Sequence, residues 1–118
     1  MHVPFVNLGL QYQRLKHEII NKFDEISSNG SYVLGDEVEK FEKNFSNYCQ
    51  TSYAIGVGNG SDALFFSLLA LGINEGDEVI TVPNSFVATA WAIANVGAKI
   101  VFVDVGNDFN INTDLINN

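Results

Sequence analysis

Apolar residues recur along the first fifty positions at steps of three and four, and then the rhythm changes. Tyr12, Leu15, Ile19, Phe23 and Ile26 fall on one face of a 3.6-residue repeat. That spacing predicts an amphipathic helix over 11–28, closed by the turn Ser28-Asn29-Gly30-Ser31. Val38, Phe41, Phe45 and Tyr48 repeat the pattern over 36–49, with Asp36 placed to cap the start. From Ser52 the texture is different. "SYAIGVG" reads as a strand, "SDALFFSLLAL" as a helix, "GINEGD" as a loop and "EVITV" as a second strand. "SFVATAWAIANV" reads as a helix stopped by "GA", and "KIVFVDV" as a third strand. Strands alternating with helices over short connections predict an α/β fold, with βαβ units on a parallel sheet. The chain divides into an N-terminal helical arm, 1–51, and the first β-α units of a larger domain, 52–118.

Two patterns predict that these units belong to something bigger. The helix over 61–71 carries Phe65, Phe66, Leu68 and Leu69, apolar on nearly every side, and such a helix expects burial all round. Three strands with two crossovers cannot supply that, and parallel sheets are normally larger and covered on both faces. The closing "NINTDLINN" offers Asn112 or Thr113 as a cap for one more helix.

Composition narrows the function. At 47% hydrophobic the sequence can build a packed core. Fourteen acids against six bases give a formal charge of -8, which argues against nucleic acid or an anionic membrane as partner. Cys49 is the only cysteine, so neither an intramolecular disulfide nor a cysteine metal cluster can form. The first residues lack the apolar stretch of a signal peptide, and no apolar run is long enough to span a bilayer. A soluble, cytoplasmic protein is expected.

The chemistry concentrates at Gly58-Asn59-Gly60-Ser61-Asp62, between the first strand and the apolar helix. A helix start presents unpaired N–H groups and a partial positive charge, which suit a phosphate. Gly58 and Gly60 permit a tight turn and a close approach, and Ser61 adds a hydroxyl donor. The Asp62 carboxylate cannot face a phosphate, so its backbone N–H is the useful group and its side chain should turn outward. The plainer alternative makes Ser61 an N-cap and the glycines a turn.

Gly58 to Ala63 also spells G-x-G-x-x-A, the dinucleotide fingerprint, which requires an acid at the end of the next strand. That strand ends in Pro83-Asn84-Ser85-Phe86, and Asp77 precedes it, at the wrong edge. A nicotinamide or flavin dinucleotide is therefore disfavoured. Phe86 stands where the acid should be, at the same sheet edge as the glycine turn. A phosphate cradle beside an aromatic ring suits a flat, phosphorylated aromatic cofactor such as pyridoxal 5'-phosphate (PLP). A core role for Phe86 is the competing account.

"GSYVLGDEVEKFEKNFSNYC", "GVGNGSDAL" and "LALGINEGDEVITVPNSFVATAWAIANVGAKIVFVDV" together resemble the N-terminal third of the DegT/DnrJ/StrS family. These are PLP-dependent nucleotide-sugar aminotransferases with the aspartate aminotransferase fold (PLP fold type I). The likeness covers essentially the whole chain in unbroken order. It implies that the Ser61 and Asp62 amides with the Ser61 hydroxyl bind the PLP phosphate. It further implies that Gly60 allows the approach and that Phe86 stacks on the pyridine ring. Tyr32 becomes a candidate for substrate contact, with packing an equal alternative. The resemblance implies a nucleotide-linked keto-sugar as acceptor, glutamate as amino donor, and a homodimer sharing its active sites. The aspartate that protonates the pyridine nitrogen and the Schiff-base lysine are expected beyond Asn118. None of Lys16, Lys22, Lys40, Lys43 and Lys99 matches that lysine's motif, so these 118 residues alone are expected to be inactive. Rival readings are a non-catalytic fragment or degenerate regulatory relative, a PLP enzyme of this fold with another substrate, and a Rossmann-type nucleotide binder.

Overall fold

The computed structural model describes residues 4–116. The chain separates into two compact units, Met1–Gly56 and Val57–Asn118.

The first unit holds α1, Leu8–Asn29, and α2, Asp36–Cys49. Asn7 caps α1 by accepting the Leu10 N–H at 3.0 Å, and Gly30 closes it in the left-handed conformation. The predicted stripe from Tyr12 to Ile26 lies on α1, yet no residue of that helix is buried. An ion-pair chain ties the two helices. Lys22 Nζ lies 2.7 Å from Glu25 and 3.2 Å from Glu37, and Lys40 lies 2.8 Å from the same Glu37 oxygen. The expected Asp36 cap does not form. Gly35 is the N-cap, without a side-chain bond, and Asp36 is already inside the helix. There Asp36, Glu37 and Glu39 complement the positive end of the helix dipole. Cys49 is exposed.

In the second unit α3, Gly60–Ala70, is followed by β1, Glu78–Thr81, then α4, Ala88–Asn95, and β2, Lys99–Phe102. The strands pair in parallel, with Glu78 opposite Lys99 and Thr81 opposite Phe102. The Val103 N–H continues the ladder to the Thr81 carbonyl at 2.9 Å. Gly97, at φ 79, makes the tight turn that returns the chain into β2. The core sits where α4 crosses the sheet. Ile93, only 3% exposed, Val96 and Ala98 are packed by Phe65, Leu68, Ile73, Val79 and Ile100. Ala88 and Ala92 are buried on α4, and such small side chains let neighbouring elements approach closely.

Two strand predictions need correction. Residues 52–58 are irregular, because a strand exists only through a hydrogen-bonded neighbour and no described segment runs alongside them. The Gly56 N–H instead donates to Glu42 Oε1 at 2.6 Å. The last strand stops at Phe102, and Val105 makes an isolated antiparallel bridge to Ile111. The sheet of the described residues therefore has two strands rather than three. Beyond it, Asn112 caps a single 3-10 turn, Thr113–Leu115, by accepting the Asp114 N–H at 3.1 Å. The remainder of the expected closing helix lies outside the described residues. No described helix is long and apolar enough to cross a membrane.

Helix α3 has one covered side. Phe65 and Leu68 join the core, and the Phe65 ring lies 6.4 Å from that of Trp91. Leu64, Phe66 and Leu69 remain exposed. The all-round burial expected of this helix is not supplied by the described residues.

Candidate functional site

The glycine joint leads directly into the first turn of α3. Asn59, in extended conformation, is the N-cap, and its Oδ1 accepts the Asp62 N–H at 2.9 Å. The Asn59 carbonyl accepts the Ala63 N–H at 3.1 Å. Ser61 is thus inside the helix rather than its cap, which corrects the plainer account of the joint. Among the described residues no acceptor takes the N–H of Gly60 or Ser61. These two donors are left over at the positive end of the helix, with the Ser61 hydroxyl beside them.

The two glycines differ in what they accommodate. A Cβ at Gly58 would lie 2.6 Å from Asp62 Oδ2, so the missing side chain makes room for that carboxylate. A Cβ at Gly60 would meet nothing within 4 Å, and the Gly60 φ is one that any residue adopts. Among the described residues, neither strain nor crowding requires glycine at 60.

Asp62 does not turn its side chain outward as expected. Its Oδ2 accepts from Asn59 Nδ2 at 3.0 Å, so the carboxylate is turned back toward Asn59 and Gly58. Sequence reading passed over Asn59. The signal was an N-cap residue type three positions before an acid able to answer it.

Phe86 lies two residues ahead of α4, in the loop leaving β1, and its carbonyl accepts the Thr89 N–H at 3.1 Å. The side chain is 76% exposed, so a core role is excluded within these residues. Leu64 from the first half of α3, Thr81 from the end of β1 and Thr89 from the first turn of α4 line one hollow. Ser67 and Leu68 of α3, Val79 and Ile80 of β1, and Ala92 and Ile93 of α4 complete that lining, so the hollow lies between the two helices and the strand. Tyr32 belongs to the first unit, in the exposed loop between α1 and α2. Leu34, two residues further on, takes a left-handed φ of 50°. None of the five lysines lies in the glycine joint or in the loop that carries Phe86, and Lys22, Lys40 and Lys99 are held in ion pairs with glutamates.

The second unit thus has two unspent donors at the start of α3 and an exposed aromatic ring just ahead of α4, groups that are chemically able to hold an anion and a flat ring. Comparison with known proteins places the chain in a family. The profile of the DegT/DnrJ/EryC1/StrS aminotransferase family matches residues 13–118, and the chain belongs to that family. It is 47% identical over 105 residues to the pleiotropic regulatory protein of Geobacillus stearothermophilus, covering 89% of this chain and 28% of that protein. It is 40% identical over 106 residues to the dTDP-3-amino-3,4,6-trideoxy-alpha-D-glucose transaminase of Streptomyces venezuelae, covering 90% and 28%. The structure of NtdA from Bacillus subtilis, with its cofactor PMP bound, matches with a TM-score of 0.84 at 37% identity. That match covers 98% of this chain and 27% of NtdA. The chain thus spans less than a third of the length of these relatives.

Proposed function

We propose that this chain is the cofactor-phosphate-binding part of a PLP-dependent sugar aminotransferase. The observation that carries the reading is the unbroken family match from residue 13 to residue 118. The protein takes an amino group from a donor, glutamate, and delivers it to a keto-sugar carried on a nucleoside diphosphate. The sugar transaminase among the relatives supports this acceptor, and the 3-amino sugar in its name supports amination at C3. The 52–118 segment then forms the opening β-α units of a fold-type-I large domain, and 1–51 a helical arm. The exposed apolar residues of α3 fit burial against later elements of that domain and a second copy in a homodimer. The charge of -8 and the absence of a membrane-length helix among the described residues accord with a cytoplasmic enzyme.

The residues present fit the cofactor. The Gly60 and Ser61 N–H groups and the Ser61 hydroxyl hold its phosphate, with the Asp62 N–H shared between Asn59 Oδ1 and that phosphate. Gly60, which nothing among the described residues requires, leaves the open space such an approach needs. Phe86 lays its open face on the ring and fixes its plane. Tyr32 is the candidate for contact with the sugar substrate. When bound, PLP supplies the electron sink through which the amino group moves, while the protein orients it and shields it from water. The Schiff-base lysine and the aspartate partnering the ring nitrogen lie outside these residues, so the 118-residue chain alone transfers no amino group.

The test is to express the complete reading frame, titrate it with PLP, and assay amino transfer from glutamate to dTDP-linked keto-sugars. Saturable PLP binding with amino-sugar formation is expected; absence of both overturns the reading. A regulatory role is the second reading, favoured by the 47% identical pleiotropic regulatory protein. PLP binding without transfer to any keto-sugar would select it.

A further inference from the structure

We propose that Gly58 and Asn59 form a parking place for the Asp62 carboxylate, which keeps that charge out of the cofactor phosphate's cradle. The inference rests on the reading of the α3 start as that cradle. It answers a conflict within the reading. Ser61 and Asp62 are adjacent, and a carboxylate facing the same space as a phosphate would repel it. Yet an acid in the first turn of a helix is stabilising, so the residue benefits the fold even where it endangers the ligand.

Three observations show how both demands are met. The Asp62 carboxylate is turned back toward the start of the joint, where Asn59 Nδ2 donates to Oδ2 at 3.0 Å. The same oxygen lies 2.6 Å from the position a Gly58 Cβ would take, a separation real Cβ atoms do not tolerate. Gly58 has no left-handed φ to explain it, so its lack of a side chain serves this oxygen rather than the turn. Asn59 meanwhile holds the Asp62 backbone through Oδ1 at 2.9 Å, so one side chain fixes both ends of the aspartate. Among the described residues the Asp62 carboxylate takes neither of the two free donors, the Gly60 and Ser61 N–H groups. Asn59 and Gly58 are positioning residues here, since neither touches the phosphate through its own side chain.

The substitution that evicts the carboxylate is Gly58→Ala, because the new methyl displaces only the end of a flexible side chain. The experiment measures PLP affinity spectroscopically in the protein expressed from its complete reading frame, as parent, G58A and G58A/D62N. Thermal melting of each without PLP reports any change in folding. The expected result is PLP binding weakened roughly tenfold in G58A and brought back to within about threefold of the parent in G58A/D62N, because the amide carries no charge. Parent-like affinity in G58A overturns the proposal. So does a loss that D62N leaves in place, which would trace to backbone distortion. A parent that does not bind PLP overturns the cofactor reading itself, and is distinguished from those outcomes by the first titration alone.

Discussion

Replacing Gly60 with alanine should move stability and cofactor binding in opposite directions. Gly60 opens α3 with a φ open to any residue, and a Cβ there meets no atom within 4 Å. The folded chain therefore accepts a methyl group without strain. The unfolded chain loses the extra freedom of glycine, which stabilises the protein by about 0.4–1 kcal/mol. Binding responds differently. The open space beside the Gly60 and Ser61 N–H groups is where the phosphate must approach, and a methyl group there pushes the anion off its donors. A loss of at least about tenfold in PLP affinity, roughly 1.4 kcal/mol, is expected. Urea unfolding of the cofactor-free G60A protein gives the first quantity and PLP titration the second. Destabilisation of the free protein would refute the geometric argument. Parent-like PLP affinity would refute the placement of the phosphate.

Three further outcomes are expected. Ile93→Ala should cost about 2–3 kcal/mol in urea unfolding, the lower part of the range for such truncations, because the partly exposed neighbours of Ile93 can close in on the space. Phe86→Ala should leave the stability of the free protein within about 0.5 kcal/mol, since the ring is already open to solvent, while weakening PLP binding about three- to tenfold. The tie between α1 and α2 should depend on pH at both ends of the scale. Lys40 and then Lys22 hold the Glu37 carboxyl below its ordinary 4.5, so its contribution is present above that value and is lost as pH falls through the depressed one. Glu25 and then Glu37 raise Lys22 above 10.5, and Glu37 raises Lys40; their contribution is present below that value and is lost as pH rises through the raised ones. Amide protection factors at the start of α2, with the intrinsic pH dependence of exchange divided out, should thus be highest between those limits and lower with added salt, and Glu37→Gln should flatten the profile. A profile unchanged by that substitution would exclude the ion pairs as its source.

The sequence by itself determined the helices and the family. Three-and-four spacing placed α1 and α2, and the predicted ranges reached the observed ends to within three residues, because helical hydrogen bonds close within the segment that makes them. Parallel pairing of "EVITV" with "KIVFVDV" was legible for a related reason: a short crossover helix between two apolar runs leaves little choice of topology. The tertiary structure decided what depends on neighbours distant in sequence. "SYAIGVG" has the composition of a strand, but its backbone finds no ladder among the described residues, and composition cannot create one. Phe86 could equally have filled a core by its residue type; only the position of its loop leaves the ring open. The glycine joint divides the same way. Its letters announced a turn before a helix, and its geometry assigned the parts: Asn59 as the cap, Gly58 as room for a carboxylate, and Gly60 as room that nothing in the chain fills. Those assignments rest on contacts of a few ångströms between side chains and backbone, which residue type permits but only the folded path of the chain brings about.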